Sequence, residues 1–491
     1  MFSDFLISKI QNKNLLHDKA YIGGTWLDAD SKSEIQVMNP ATDKLIATIP
    51  DMGRDETRRA IDAATNAFPL WKQVLPKEKS EILREWYVLM IKNQQDLVNL
   101  LVAENGKILK DALGEFQYAA SFIEWFAEEA KRVHGDIYPV DRPSHKYLGI
   151  KEPFGVVAAI TPWNFPYAMI TRKAAPAIAA GCTVVLKPSE LTPPLCALAL
   201  ASLAQQAGVP PGVLNIVTGY PKEIGEEMMI NPAIRKLSFT GSTRVGKLLY
   251  KGCADDVKKL SLELGGNAPF IVFDDANIDL AVDDLIILKS RNTGQACTSA
   301  NRIFLHNTIA KEFTDKLLIK YRKLKVGNGF DKSSDQGPLI NHKAVEKVTN
   351  IIVNAVKNGA KILYQATISN EVGSFYPPTI ISIPSTDFEI HHEEIFGPVI
   401  AIYEFSDDEE AITKANSTSY GLAGYFYSNN QSKIWNIADK LQFGMVGINE
   451  SMISNELTPF GGVKHSGFGI EGSKYGIEEY LKLKYYCMGN I

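Results

Sequence analysis

A carboxylate at Glu263 and a thiol at Cys297, each set among glycines, are the two groups here whose chemistry belongs together. Glu263 runs into Leu264-Gly265-Gly266-Asn267, and Cys297 ends Gly294-Gln295-Ala296-Cys297. Glycine lets the backbone turn tightly and approach a ligand closely. A thiolate is the strongest nucleophile among ordinary side chains, and a carboxylate beside it can activate water. Spacing alone does not bring the two together. It leaves open a solvated surface glutamate and a small buried cysteine.

Further motifs add weight. Thr161-Pro162-Trp163-Asn164-Phe165-Pro166, Leu186-Lys187-Pro188-Ser189-Glu190, Phe239-Thr240-Gly241-Ser242-Thr243-Arg244-Val245-Gly246, Glu394-Ile395-Phe396-Gly397-Pro398 and Pro459-Phe460-Gly461-Gly462 surround the pair in sequence. With it, in this order, they resemble the NAD(P)-dependent aldehyde dehydrogenase superfamily from about Tyr21 to the C-terminus. The resemblance implies an α/β fold of two doubly wound Rossmann-like domains with a small β oligomerisation region. The implied boundaries are 1–132 and 149–262 for NAD binding, 263–458 for catalysis, and 133–148 with 459–491 for oligomerisation.

A chain of 491 residues exceeds what one hydrophobic core serves, so two or three domains are expected. A net charge of -4 argues against a nucleic-acid partner. The five cysteines, Cys182, Cys196, Cys253, Cys297 and Cys487, form no CxxC. That suits a reducing compartment and offers neither a disulfide framework nor a zinc site. The histidines lack metal-ligand spacing, and His391-His392 reads as a surface or loop pair. No signal peptide and no membrane-crossing run stands out, so a cytoplasmic protein is expected.

The elements that must position the chemistry follow from periodicity. Tyr21 to Trp26 reads as a hairpin and Arg54 onward as a helix. One long helix is expected from about Lys77 to Glu104, stopped by Asn105-Gly106, and another from Leu109 to Lys131. Nothing in this stretch shows chemistry. Asp136–Pro139 and Lys146–Ile150 form a protruding hairpin, which the resemblance assigns to subunit contacts. From Val156–Ile160 the chain alternates: an alanine-rich helix from Ala174 to Ala180, the strand Thr183–Leu186, a helix from Leu195 to Ala207, and the strand Leu214–Val217. That is a parallel, doubly wound sheet, and such sheets bind ligands beyond their carboxyl ends, where Lys187, Glu190, Thr218 and Thr240 stand. The strand Pro269–Phe273, a helix over Ile278–Lys289 and the strand Asn301–Leu305 start a second such domain.

Two nucleotide motifs fail. Gly241 to Lys247 approaches a Walker A loop, but Leu248 stands where a magnesium-holding Ser or Thr is required. Gly467-Phe468-Gly469-Ile470-Glu471-Gly472 matches the dinucleotide fingerprint with too little chain after it for a strand-helix-strand unit, so it is a chance match. The turn at Gly241-Ser242 can still offer helix-start amides to a pyrophosphate. By resemblance, Thr161, Pro162, Trp163, Ser189, Gly241, Ser242, Gly246, Leu264 and Phe396 line the cofactor site, and Glu394 holds the nicotinamide ribose. Lys187 and Glu190 can bind the adenosine ribose hydroxyls. Glu190 would repel a 2′-phosphate, which favours NAD over NADP.

The resemblance also assigns the chemistry. The Cys297 thiolate adds to an aldehyde carbon. The Asn164 amide and the Cys297 backbone N–H hold the oxyanion. Hydride transfer leaves a thioester, which water activated by Glu263 hydrolyses. No metal is required. Arg172 and Arg291 replace apolar or aromatic residues of broad-specificity members, and an arginine forks a carboxylate. With Ser454, and with Met169–Lys173 and Glu471–Gly476, they resemble the succinate-semialdehyde dehydrogenases. The expected substrate is succinate semialdehyde, with glutarate semialdehyde as the near rival and a broad-specificity aliphatic aldehyde dehydrogenase as the wider alternative. A homodimer or tetramer is expected. Ser299 stands where some relatives carry a second, switch-forming cysteine, so no disulfide switch is expected. A non-catalytic scaffold of the same fold is the alternative from another class.

Overall fold

The computed structural model describes residues 1–191, 194–368 and 372–489. The first large sheet runs Gly467–Phe468, Lys259–Glu263, Ile234–Thr240, Val156–Ile160, Thr183–Lys187, Leu214–Ile216, Ala20–Ile22 and Thr25–Leu27. The five strands from Lys259–Glu263 to Leu214–Ile216 are parallel. Their continuous apolar runs follow from burial on both faces. Val157 and Ala159 pack into one buried cluster, while Val156 and Ala158 pack into another. Strand order reverses at Val156–Ile160: the chain builds outward on one side, then returns to build the other. Such a reversal opens a crevice beyond the carboxyl ends, where Thr161, Lys187, Thr240 and Glu263 stand.

The second sheet runs Lys361–Gln365, Thr379–Ser382, Val399–Phe405, Ala300–His306, Ala268–Val272, Ala423–Tyr427 and Met445–Ile448. Only the pair formed by the first two strands is antiparallel. A three-stranded sheet joins His145–Pro153 to Asp136–Tyr138 and Leu481–Gly489. Among the described residues, no helix is long and apolar enough to cross a membrane.

Three local expectations need correction. The single helix expected from Lys77 to Glu104 is two, Pro76–Lys92 and Gln94–Asn105. Asn93 separates them at φ -103 and ψ 17, and its side-chain amide donates to the Leu89 carbonyl at 2.8 Å. A short amide side chain bonding its own backbone competes with the helix in this way. The alanine-rich helix starts earlier, at Pro166, and every residue to Ala180 is buried. Proline suits a first helical turn, where its missing N–H costs nothing. The pair His391-His392 divides: His392 is exposed, but His391 is fully buried. His391 shares a hydrogen bond with Ser417 at 3.0 Å. Burial, then the nearby Arg302 charge, depress its pKa to about 3. The stop at Gly106 is as expected, with φ 77 in the left-handed region.

Candidate active site

The two sheets meet through Leu264-Gly265-Gly266-Asn267. Glu263 ends a strand of the first sheet, and Ala268 begins one of the second. Ala268 pairs with Ala300, which lays the turn carrying Cys297 across this connector. A Cβ on Gly266 would stand 2.1 Å from the Cys297 carbonyl oxygen, so only glycine fits there. Glu263 and Cys297, expected to act together, thus flank one connector. On its outer side the Glu263 strand pairs with Gly467–Phe468, Glu263 opposite Gly467.

A cavity of about 260 Å³ opens here. Nine of the expected residues line it: Pro162, Trp163, Asn164, Gly241, Ser242, Leu264, Cys297, Glu394 and Phe396. Trp163 meets Phe396 edge-on at 5.5 Å. Phe396 is held at φ 59, a left-handed conformation that costs a bulky residue and is tolerated where the surroundings impose it. Lys347 also lines the cavity and donates to the Glu394 carbonyl at 2.7 Å. The sequence reading missed it, since a lysine on an amphipathic helix reads as a solvated charge.

The electrostatics divide the site. Burial pushes the Cys297 thiol up to about 12; the charges of Glu394 and Glu263 add to this, and Arg172 opposes it. Glu263 is buried, and neither carboxylate oxygen has a hydrogen-bond partner. Burial, then the negative charge of Glu471, hold it well above the usual carboxylate range, while Arg172 and Lys173 pull the other way. Glu394 accepts the Gly266 N–H at 2.8 Å, yet burial raises it to about 7. Asn164 donates from Nδ2 to the Gln295 carbonyl at 3.1 Å; its second N–H remains for a ligand, and Oδ1 has no partner.

On the other side of Cys297 stand the groups expected to read a substrate. Arg172 is buried. Its Nη2 lies 2.6 Å from Glu471, and its guanidinium lies 3.9 Å from the centre of the Phe460 ring. Lys173 takes the other Glu471 oxygen at 2.5 Å. Burial would raise Glu471, but Lys173 and Arg172 overcome it and hold it below its ordinary value. The Tyr118 hydroxyl hydrogen-bonds Ser454 and lies 3.4 Å from Arg172 Nη1. Arg291 lies 5.0 Å from the Phe165 ring centre, on a turn where Asn292 and Thr293 adopt φ 48 and φ 58. Arg172 and Ser454 are therefore joined through Tyr118, a residue of the helix from Leu109 in which no chemistry was visible in the sequence. Glu471 stands in a stretch that carries the resemblance, Glu471–Gly476, yet no role was assigned to it. No sequence signal exposes its role; only the pairing of Gly467–Phe468 with the Glu263 strand does.

Thr161 and Thr240 carry buried hydroxyls without partners at the sheet's carboxyl edge, and Ser242 caps the helix Thr243–Gly252. Gly246 packs against Leu264 so closely that a Cβ would overlap it. At the crevice's other end, Lys187 meets Glu190 at 2.5 Å, and Ser189 accepts the Leu191 N–H at 3.2 Å. Unsatisfied hydroxyls beside helix-start amides in an open crevice fit a dinucleotide.

Comparison with known proteins agrees with this geometry. The aldehyde dehydrogenase family profile matches residues 26–486, and the chain belongs to that family. It is an oxidoreductase of the NAD(P)-dependent class. Among curated relatives, it is 53% identical to glutarate-semialdehyde dehydrogenase of Pseudomonas putida, over 98% of this chain and 99% of that one. It is 50% identical to the NADP(+) succinate-semialdehyde dehydrogenase of Escherichia coli, over 98% and 100%. The crystal structure of succinate-semialdehyde dehydrogenase from Burkholderia pseudomallei superimposes with a TM-score of 0.96 at 50% identity, covering 98% and 99%.

Proposed function

We propose that this protein oxidises a short dicarboxylic semialdehyde, succinate semialdehyde first, to the diacid, with NAD preferred over NADP. The observation that carries the reading is the Arg172–Tyr118–Ser454 group, whose Arg172 charge acts on Cys297, with Arg291 on the turn Arg291–Gly294 just before it. A neutral aldehyde has no use for such groups. Relatives named for succinate and glutarate semialdehydes support it. One methylene separates the two substrates, and a pocket discriminates it by only ~1–3 kcal/mol.

In this reading the Cys297 thiol gives its proton to solvent water, helped by the positive charge of Arg172. The sulfur adds to the aldehyde carbon, and the carbonyl electron pair moves to oxygen. Asn164 Nδ2–H and the Cys297 N–H hold that oxyanion. Each such donor is worth about 3 kcal/mol. A bound dinucleotide would supply the hydride acceptor; Glu394, Thr161, Thr240 and Ser242 would hold it, with Lys187 and Glu190 at its adenosine end. The thioester left on Cys297 is attacked by water whose proton goes to Glu263. The C–S bond breaks, and the thiolate leaves from the acid. An unpartnered buried carboxylate with raised proton affinity is a strong base once ionised. Glu190 carries the NAD preference, because a 2′-phosphate would meet its charge.

The wider assignments follow. Residues 1–132 and 149–262 bind the dinucleotide, 263–458 carry catalysis, and 133–148 with 459–491 join subunits, Gly467–Phe468 being lent back to the first sheet. Leu483, Tyr485 and Met488 leave apolar surface exposed on the strand Leu481–Gly489, which supports pairing of copies. Five free thiols fit the cytoplasm. The test is NAD reduction with succinate semialdehyde, glutarate semialdehyde and butanal in parallel, and NADP alongside. An advantage of the semialdehydes over butanal of roughly a hundredfold in kcat/KM is expected. Equal use of butanal refutes the carboxylate reading.

A further inference from the structure

The stretch with no visible chemistry in sequence, Asn105-Gly106-Lys107 and the helix after it, lies directly behind the oxyanion donor. Lys107 and Glu115 form an ion pair whose side chains are wholly buried. Lys107 Nζ also donates to the Asn164 carbonyl at 2.8 Å, and Glu115 accepts the Tyr167 N–H at 2.9 Å. One residue earlier, the Asn105 amide donates to the Trp163 carbonyl at 2.9 Å. The Asn164 carbonyl takes a second bond from Asn292 Nδ2 at 2.9 Å. Two consecutive carbonyls of the Trp163–Asn164 loop are thus pinned from behind, which fixes the backbone from which the Asn164 side chain reaches Gln295.

We infer that Lys107, held by Glu115, is a positioning residue that sets the Asn164 amide for the oxyanion. A buried ion pair is a costly way to hold a loop against a helix, since apolar residues of the same volume do that at least as well. Its use is geometric. Lys107 reaches the Asn164 carbonyl across the loop that precedes the helix Pro166–Ala180, and an error of about an ångström at such a donor costs roughly a hundredfold in rate. The same cation lies 4.1 Å from the Phe165 ring centre, on the ring that also faces Arg291. The Asn164 loop and the Arg291 turn therefore share one support, and Asn292, whose N–H is held by Asp111 at 2.8 Å, bridges them.

This inference rests on the proposed role of Asn164, and the test separates the two. Lys107→Met with Glu115→Gln removes the pair and strands no charge. Lys107→Gln, which keeps a donor, serves if that double variant does not fold. Each is combined with Asn164→Ala in a double-mutant cycle. The first-turnover burst of NADH and the alkylation of Cys297 by iodoacetamide are both measured. Alkylation requires the thiol but no oxyanion hole. Asn164→Ala alone is expected to slow the burst by roughly a hundredfold or more. Lys107→Met/Glu115→Gln is expected to slow it by tens of fold or more, and adding Asn164→Ala then costs little further. Alkylation stays near the parent rate throughout. Fully additive losses overturn the inference, as does a parallel fall in alkylation, which marks general disruption of the site. If Asn164→Ala alone leaves the burst intact, the reading of Asn164 fails first and this inference falls with it.

Discussion

Arg172→Met tests substrate recognition most directly. Methionine keeps much of the apolar contact with Phe460 and Phe122, over which the guanidinium lies. The variant loses the charge and the fork. One charge-assisted contact to a substrate carboxylate is worth up to about 3 kcal/mol, or roughly 150-fold in kcat/KM. Removing one partner of a buried ion pair typically costs ~3–5 kcal/mol of stability, because a charge is stranded. Here Glu471 keeps Lys173 at 2.5 Å, so the loss is smaller and the protein folds. Arg172 also eases ionisation of Cys297, and that loss falls on every aldehyde alike. The decisive quantity is therefore the ratio of kcat/KM for succinate semialdehyde to that for butanal, followed by NADH absorbance, with a thermal melt as control. The ratio falls by about two orders of magnitude if Arg172 binds the carboxylate. Arg172→Lys falls between, keeping the charge without the fork. An unchanged ratio in Arg172→Met means that Arg172 serves Glu471 alone, and the reasoning fails.

Three other outcomes are expected. Glu263→Gln keeps the single-turnover burst of NADH but slows steady turnover by roughly 10²–10⁴-fold, the usual share of a general base; loss of the burst assigns Glu263 to thiol activation instead. Glu190→Gln raises kcat/KM with NADP relative to NAD by about tenfold, the effect of relieving roughly 1.4 kcal/mol of like-charge repulsion; an unchanged ratio removes Glu190 from cofactor selection. His391 contributes acid sensitivity: its pKa is about 3 folded against 6.5 for the free side chain. The neutral form is the folded form, so this stability is complete above 6.5 and is lost as pH falls from 6.5 towards 3. The limiting slope is about 1.4 kcal/mol per pH unit. Urea unfolding at pH 8, 6 and 5 should show a steeper fall for the parent than for His391→Gln, and parallel slopes refute it.

Residues marked by local motifs were legible as members of the candidate site. Cys297, Glu263 and Asn164 each sit in a short motif with its own turn signals, and the parallel strands declare themselves as apolar runs. What depends on meeting a distant segment was not legible. Glu471 reaches the site only because Gly467–Phe468 pairs with the Glu263 strand, and no periodicity predicts an edge pairing two hundred residues away. Lys107 and Glu115 lie on what reads as an ordinary helix start, and only the packing against Pro166–Ala180 aims them at Asn164. The break at Asn93 was hidden because an asparagine costs a helix little until its side chain turns back on the backbone. His391 reads as polar in sequence, yet the second sheet's core needs that volume beside Tyr403 and Phe304.

The edge pairing of Gly467–Phe468 also bears on when the enzyme comes into being. Protein synthesis runs from the N-terminus, and domains fold as their chain emerges. Both sheets can largely form before residue 467 is made, but the Glu263 strand then lacks its outer neighbour, and Arg172 and Lys173 lack Glu471. A nascent chain, or one stopped short of that point, holds Cys297 and the crevice at the strands' carboxyl ends around an unfinished charge network. The charge network beside Cys297 and Glu263 is thus completed only once residue 471 has emerged and the edge strand has paired.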